Sequence, residues 1–256
     1  MKGHLRRNFT LGFCATALGA ALAGALRRDP RAINRRGLLA AAAFLAPTLT
    51  ANCAWNGPVL RRLRTNEREV WLTIDDGPDP HDTPEILDVL ARHEARATFF
   101  AIGRKVWRYP GAARAIAAAG HDLQNHTWSH SACSFWAATP ACARNEIVAA
   151  NDAISHVARR PRFFRAPAGL ANPFVHSAAA RAGLVVTGWS ARGYDGVPHD
   201  PADVVGRITR RLHPGAIILL HEGPVPGLRP GTRARTLERL VVALHSLGYR
   251  TARPPG

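Results

Sequence analysis

Beyond residue 68 the chain alternates between two hydrophobic rhythms. Apolar runs of strand length lie at 70–74 (VWLTI), 97–102 (ATFFAI), 162–166 (RFFRA), 184–190 (LVVTGWS), 216–221 (AIILLH) and 248–252 (GYRTA). A shorter and more polar run, HDLQNH at 121–126, falls in third place among them. Between these runs apolar residues recur three and four apart, at 83–94, 104–119, 141–158, 173–182, 201–212 and 232–247. Several such stretches open on capping residues, as in Asp82-Thr83-Pro84, where the proline suits a first helical turn. Strands separated by helices predict parallel βα units, and about seven of them predict an α/β fold that closes as a deformed (β/α) barrel, complete or slightly open.

Barrels and open α/β sheets carry their chemistry at the C-terminal ends of their strands. Here those ends are polar at nearly every position: Asp75-Asp76, then NHTWSH, FRAPAG, GWSARGYD and LLHEG. Asp75 and Asp76 raise a specific difficulty. Aspartate and Gly-Pro are ordinary turn residues, so the pair can simply end a strand. Neighbours on a strand, however, point to opposite faces, so at least one carboxylate enters the interior. A buried carboxylate needs a cation, a metal or a proton to carry. His126 and His130, four apart on a helical turn or tight loop, can grip one cation from one side. An aspartate from another strand end completes two nitrogens and one oxygen, a facial set with room for water and substrate.

The N-terminal quarter changes the picture. Net charge is +16, and residues 1–68 hold 12 Lys or Arg against two acids, so ten of those charges precede the strand–helix pattern. A nucleic-acid protein places its basic stripe on the folded domain, so nucleic-acid binding is not expected. The excess instead flanks two uncharged segments, 9–26 and 37–55, each about long enough to span a bilayer as a helix. The ten residues between their ends, RRDPRAINRR, hold five arginines and predict a cytoplasmic loop, with the remainder of the chain outside. Arginines flanking the outer ends argue for the reverse orientation, and NRRGLLAAAAFLAP is similar to a twin-arginine export segment. The expected organisation is a membrane anchor or signal region over 1–55, a basic linker over 56–68 and a catalytic domain over 69–256. Cys133 and Cys142, nine apart, are open to pairing or to remaining thiols.

The motifs TIDDG, HTWSH, RAPAG and LLHEG, in this order and spacing, resemble those of the polysaccharide deacetylases, the carbohydrate esterases that include the nodulation-factor deacetylases. The resemblance covers about residues 69–252 and implies a deformed barrel and metal-dependent removal of N- or O-acetyl groups from sugars. It implies that Asp76, His126 and His130 bind a divalent metal, usually zinc. Asp75 would be the general base that takes a proton from the attacking water, Arg165 would hold Asp75 ionised, and His221 would protonate the leaving amine. The oxyanion would lean on the metal and on a backbone amide near Ala168.

Two positions depart from the family pattern. Ala168 stands where an aromatic is common. RGYDG keeps Asp195 but puts Arg192 and Gly196 at positions where the family has aspartate and tryptophan. Either Asp195 supports the site alone or the substrate pocket is rearranged, with Trp189 and Tyr194 as candidate aromatic surface or as core. The expected activity is deacetylation of an envelope or exported polysaccharide by a membrane-anchored enzyme whose catalytic domain is periplasmic. Deacylation of a lipid-linked sugar is the alternative within enzymes, and a catalytically silent glycan-binding domain is the alternative outside them.

Overall fold

The computed structural model describes Ala42 and residues 45–253. The apolar segment 9–26 and most of the first part of 37–55 lie outside the described residues. No described helix is long and apolar enough to cross a membrane.

The strands are β1 (Glu69–Asp75), β2 (Thr98–Ala101), β3 (Asp122–Asn125), β4 (Phe163–Phe164), β5 (Val185–Val186), β6 (Ala191–Arg192), β7 (Ala216–His221) and β8 (Arg250–Thr251). The helices are α1 (Asp82–Arg92), α2 (Gly103–Arg108), α3 (Pro110–Ala118), α4 (Pro140–Ser155), α5 (Pro173–Arg181), α6 (Pro201–Thr209) and α7 (Thr232–Ser246). Every strand pairing is parallel, in the order β5-β4-β3-β2-β1-β7-β6 with β8 against the start of β1. The sheet is curled as a deformed barrel. The helix expected over 104–119 is two helices, because Pro110 lacks an N–H and cannot continue α2, yet fits the first turn of α3.

Strand β1 shows how the hydrophobic pattern builds the site. Val70, Leu72 and Ile74 pack outward against Ile86, Val89 and Leu90 of α1 and Leu237, Leu240 and Val241 of α7. The alternate residue Trp71 points inward to Phe100, Phe163, Trp189, Ile217 and Leu219. That alternation sends Thr73 and Asp75 into the same interior, above Trp71. β1 also pairs residue for residue with β7, so Asp75 lies beside His221.

The run expected as one strand over 184–190 is a strand only at Val185–Val186, and a further strand on the opposite edge of the sheet begins just past it at Ala191. Val185–Val186 pair with β4, and Ala191–Arg192 pair with β7. Between them the chain crosses the gap in the barrel. There the Gly188 amide donates to Leu60 O, and the Leu60 amide donates to Val186 O. The crossing leaves the carbonyls of Thr187 and Gly188 outside the sheet ladder, and they need donors.

Residues 56–68 pack on the barrel instead of linking to it. Leu60 and Arg62 bridge to Thr187 and Ala216, and Leu63 is buried. Contacts with the domain reach further upstream. The helix ends by Thr48, and the Asn52 amide donates to Gly169 O while its side chain donates to Trp189 O. The Asn56 side chain donates to Ala171 O. A Cβ on Gly188 would lie 2.3 Å from Asn52 Oδ1, so glycine is what permits this approach. The expectation of an apolar helix over the whole of 37–55 is thus corrected. Thr50, Asn52 and Asn56 have polar side chains that find acceptors in turns and on the domain surface.

Candidate active site

Asp76 lies just past β1 with φ of 77°, in the left-handed region that aspartate tolerates better than most residues. That turn removes it from strand alternation, so both carboxylates face the barrel mouth. Asp76 Oδ1 is 3.1 Å from His130 Nε2 and 3.4 Å from His126 Nε2. The two histidines are held by a tight loop, with Thr127 and His130 also at positive φ. The Thr127 amide donates to Asn125 Oδ1, the His130 amide to Thr127 Oγ1, and the Ser129 amide and hydroxyl to the Glu146 carboxylate.

The chemistry of this donor set fits a cation. His126 Nδ1 is 2.8 Å from Arg165 O, which can only accept, so Nδ1 carries the proton and Nε2 presents its lone pair to Asp76. Burial and the His126 charge push the His130 imidazole down to about 4, which leaves it neutral and able to ligate near pH 7. Burial raises the Asp76 carboxyl, but the nearness of the His126 imidazole, with His130 and His221, outweighs this and holds it well below the usual carboxylate range. Asp76 Oδ1 is buried without a hydrogen-bond partner. Ligand atoms of Asp76, His126 and His130 lie within 4.8 Å of one another, close enough to share one ion.

Asp75 is held from the other side. Arg165 is fully buried, and its Nη1 donates to Asp75 Oδ1 at 2.6 Å and to Thr73 Oγ1 at 2.8 Å. Its Nη2 donates to Gly188 O at 2.8 Å, and Nε reaches Thr187 O at 3.4 Å. These are the two carbonyls freed by the chain crossing. The guanidinium lies 4.1 Å from the centre of the Phe100 ring. Burial lowers the Arg165 pKa and the Asp75 charge opposes this; a guanidinium with so high an ordinary value stays charged. Asp75 Oδ2, the oxygen Arg165 does not bond, faces His126 Nε2 at 3.7 Å.

His221 occupies the neighbouring strand end. Its Nδ1 is 2.8 Å from Asp195 Oδ1, and its amide donates to Asp195 Oδ2. Asp195 also receives Arg233 Nη1 on Oδ2 at 3.3 Å. Burial works against the imidazolium, but the charge and hydrogen bond of Asp195, with Asp76 and Asp75, lift His221 to about 9. Asp195 therefore supports His221, and Arg165 is supported by backbone carbonyls and Thr73. Asp195→Asn is expected to move the alkaline limb of activity about one to two pH units lower, because the imidazolium loses its main counter-charge. A kcat–pH profile checks this, and an unmoved limb would separate Asp195 from the proton donor.

The remaining candidates are placed differently. Ala168 is exposed, at φ of 54°, in the turn Pro167–Gly169. The amides of Gly169 and Leu170 are engaged by Ala166 O and Pro167 O. Trp189 is core, packed under Gly169 with Arg165 and Arg192 both within 6 Å of its ring. Tyr194 is half-exposed at the mouth. Sequence reasoning missed Thr73 and Arg233. Thr73 carried a signal, since it lies two before Asp75 on the same strand face; Arg233 carried none.

The sequence and fold have known relatives. Residues 62–187 match the polysaccharide deacetylase family profile. The chain is 39% identical over 183 residues to a chitooligosaccharide deacetylase of Bradyrhizobium sp. (strain ANU 289), covering 70% of this chain and 83% of that one. It is 32% identical over 199 residues to a peptidoglycan-N-acetylglucosamine deacetylase of Bacillus cereus, covering 76% and 90%. Its fold superposes with a TM-score of 0.64 at 29% identity on a family 4 acetyl xylan esterase from Clostridium thermocellum in complex with a cobalt ion, covering 72% and 87%. An enzyme that hydrolyses acetyl groups from sugars, acting on amide bonds as its relatives do, this chain belongs to the polysaccharide deacetylase family.

Proposed function

We propose that the enzyme removes N-acetyl groups from an N-acetylglucosamine-containing polysaccharide of the cell envelope, with zinc held by Asp76, His126 and His130. The observation that carries this reading is the orphaned Asp76 Oδ1 between two imidazole nitrogens, one hydrogen bond from the Arg165–Asp75 pair. Two nitrogens and one carboxylate oxygen suit a catalytic zinc with open positions. The names of the Bradyrhizobium and B. cereus relatives support the sugar, and the cobalt in the C. thermocellum enzyme supports a divalent metal.

A divalent cation bound there supplies Lewis-acid polarisation of the acetyl carbonyl and acidifies water. Asp75 takes the proton of the attacking water on Oδ2, while Arg165 keeps Oδ1 engaged and the carboxylate charged. His221, fixed through Nδ1 on Asp195, delivers a proton from Nε2 to the sugar nitrogen as the carbon–nitrogen bond breaks. The Ala168 amide donates to the developing oxyanion. Acetate and the free amine leave.

The reading is tested by metal analysis together with acetate release. The native protein is expected to bind about one divalent ion and to stop releasing acetate from N-acetylglucosamine oligomers in chelator. His126→Ala is expected to bring metal content well below one per chain. Unchanged occupancy in that variant would remove His126 from the ligand set.

A further inference from the structure

We propose that Arg192 and Tyr194, backed by Arg207, form a subsite beside the end of β6 for an oxyanion, a carboxylate or phosphate, carried by the sugar substrate. The inference deepens the proposed reading and names a substrate class, an acidic acetylated glycan.

Arg192 is at the end of β6, paired with Leu219 two residues before His221. Its neighbour Gly193 is turned outward, where a Cβ would strike Val204 of α6. Arg192 instead reaches over the rings of Trp189 at 5.6 Å and Tyr194 at 4.0 Å. Trp189 has the Arg165 guanidinium at 5.8 Å, so one indole separates Arg192 from the Asp75–Arg165 pair. The loop then passes His221: a Cβ on Gly196 would be 3.9 Å from His221 Cε1, and with no side chain there that edge of the imidazole is open.

The charge at this place is unbalanced. No ion pair among the described residues involves Arg192, Arg207 or Arg211. Arg207 Nη1 donates to Gly193 O, which brings a second guanidinium to the same loop. The Tyr194 phenol is held below its ordinary value by the Arg192 guanidinium against its ring and by the charges of Arg211 and Arg207. Of the nearby acids, Asp195 is engaged by His221 and Arg233 and Asp200 caps α6, while Asp203 in the first turn of α6 forms no ion pair with Arg207. The Arg192 guanidinium carbon lies 4.0 Å from the Tyr194 ring centre, and a guanidinium held over a ring keeps N–H donors free for a carboxylate or phosphate, which it receives in two parallel bonds. A hydroxyl from Tyr194 beside it adds a donor.

The test uses three tetramers of N-acetylglucosamine that differ only at C6: neutral, oxidised to the carboxylate, and phosphorylated. Each is titrated into the full-length protein for Kd, and acetate release is followed in parallel. At low salt at least one charged tetramer is expected to bind about tenfold more tightly than the neutral one, a ratio that falls with added salt. Arg192→Gln is expected to reduce that charged-to-neutral ratio about tenfold, with Arg192→Lys between the two. Preference for the carboxylate or for the phosphate arm identifies the group. Equal affinity for all three tetramers in the native protein, or a ratio unmoved by Arg192→Gln, overturns the subsite. If Arg192→Gln does not fold, Arg207→Gln must lower the ratio severalfold, and an unmoved ratio has the same consequence. Absence of acetate release from every tetramer would instead count against the proposed reaction, while the binding ratio still decides the subsite.

Discussion

Asp75→Asn is expected to retain its metal and to lose turnover by about 10²- to 10⁴-fold, the range general-base catalysis supplies. The substitution is close to isosteric. The amide oxygen can still accept from Arg165 Nη1, and the bond between His126 Nδ1 and Arg165 O does not involve Asp75, so the ligand geometry is preserved. What is lost is basicity on the oxygen that faces His126 Nε2 at 3.7 Å. The acid limb of the kcat–pH profile is expected to vanish with it, because that limb reports protonation of the base. Metal content near one per chain combined with native turnover would show that Asp75 merely ends a strand.

Arg165→Met is expected to destabilise the protein by about 3–5 kcal/mol, the usual consequence of removing one partner of a buried ion pair. For a domain of this size that is a fall in Tm on the order of 10 °C. The magnitude follows from what remains behind. Asp75 would be left charged beneath a hydrophobic ring system, and the carbonyls of Gly188 and Thr187 and the hydroxyl of Thr73 would lose their donor. Adding Asp75→Leu is expected to restore much of the stability and none of the turnover, since two apolar side chains then replace the pair. Thermal melts of the single and double variants check this. Equal melting temperatures for native and Arg165→Met proteins would mean that the pair contributes nothing.

How much of this was legible in the sequence depends on how local each cause is. The alternation along Val70–Asp75 was readable as far as requiring one of the two carboxylates to enter the interior, and the fold shows that Asp75 does. The position of Asp76 was not, because it depends on a left-handed backbone turn that no periodicity encodes. The closeness of His126 and His130 was readable, since their loop is fixed by neighbours within the same motif and by Glu146. Asp75 was expected as a partner of Arg165, but its backbone partners were hidden, because the carbonyls of Thr187 and Gly188 are freed only where the chain leaves one edge of the sheet for the other. The pairing of Asp195 with His221 joins a loop to a strand 26 residues away and needed the fold. Tyr109-Pro110 announced a break within the helix expected over 104–119, yet the apolar rhythm ran through it.

The docking of Asn52 bears on where this enzyme begins. Composition starts the catalytic domain at residue 69, after a basic linker over 56–68, yet the side chain nearest Gly188 belongs to residue 52. Gly188 is also the carbonyl that steadies Arg165. Three links therefore connect the N-terminal segment to the Asp75 carboxylate: Asn52 against Gly188, Gly188 on Arg165, and Arg165 on Asp75. Mechanically the segment is a tether fastened at the bracket of the active site, not at a neutral corner of the domain. Any load carried by the preceding chain is delivered there first, and a proteolytic cut between residues 52 and 56 would release that bracket while sparing every residue that touches the substrate.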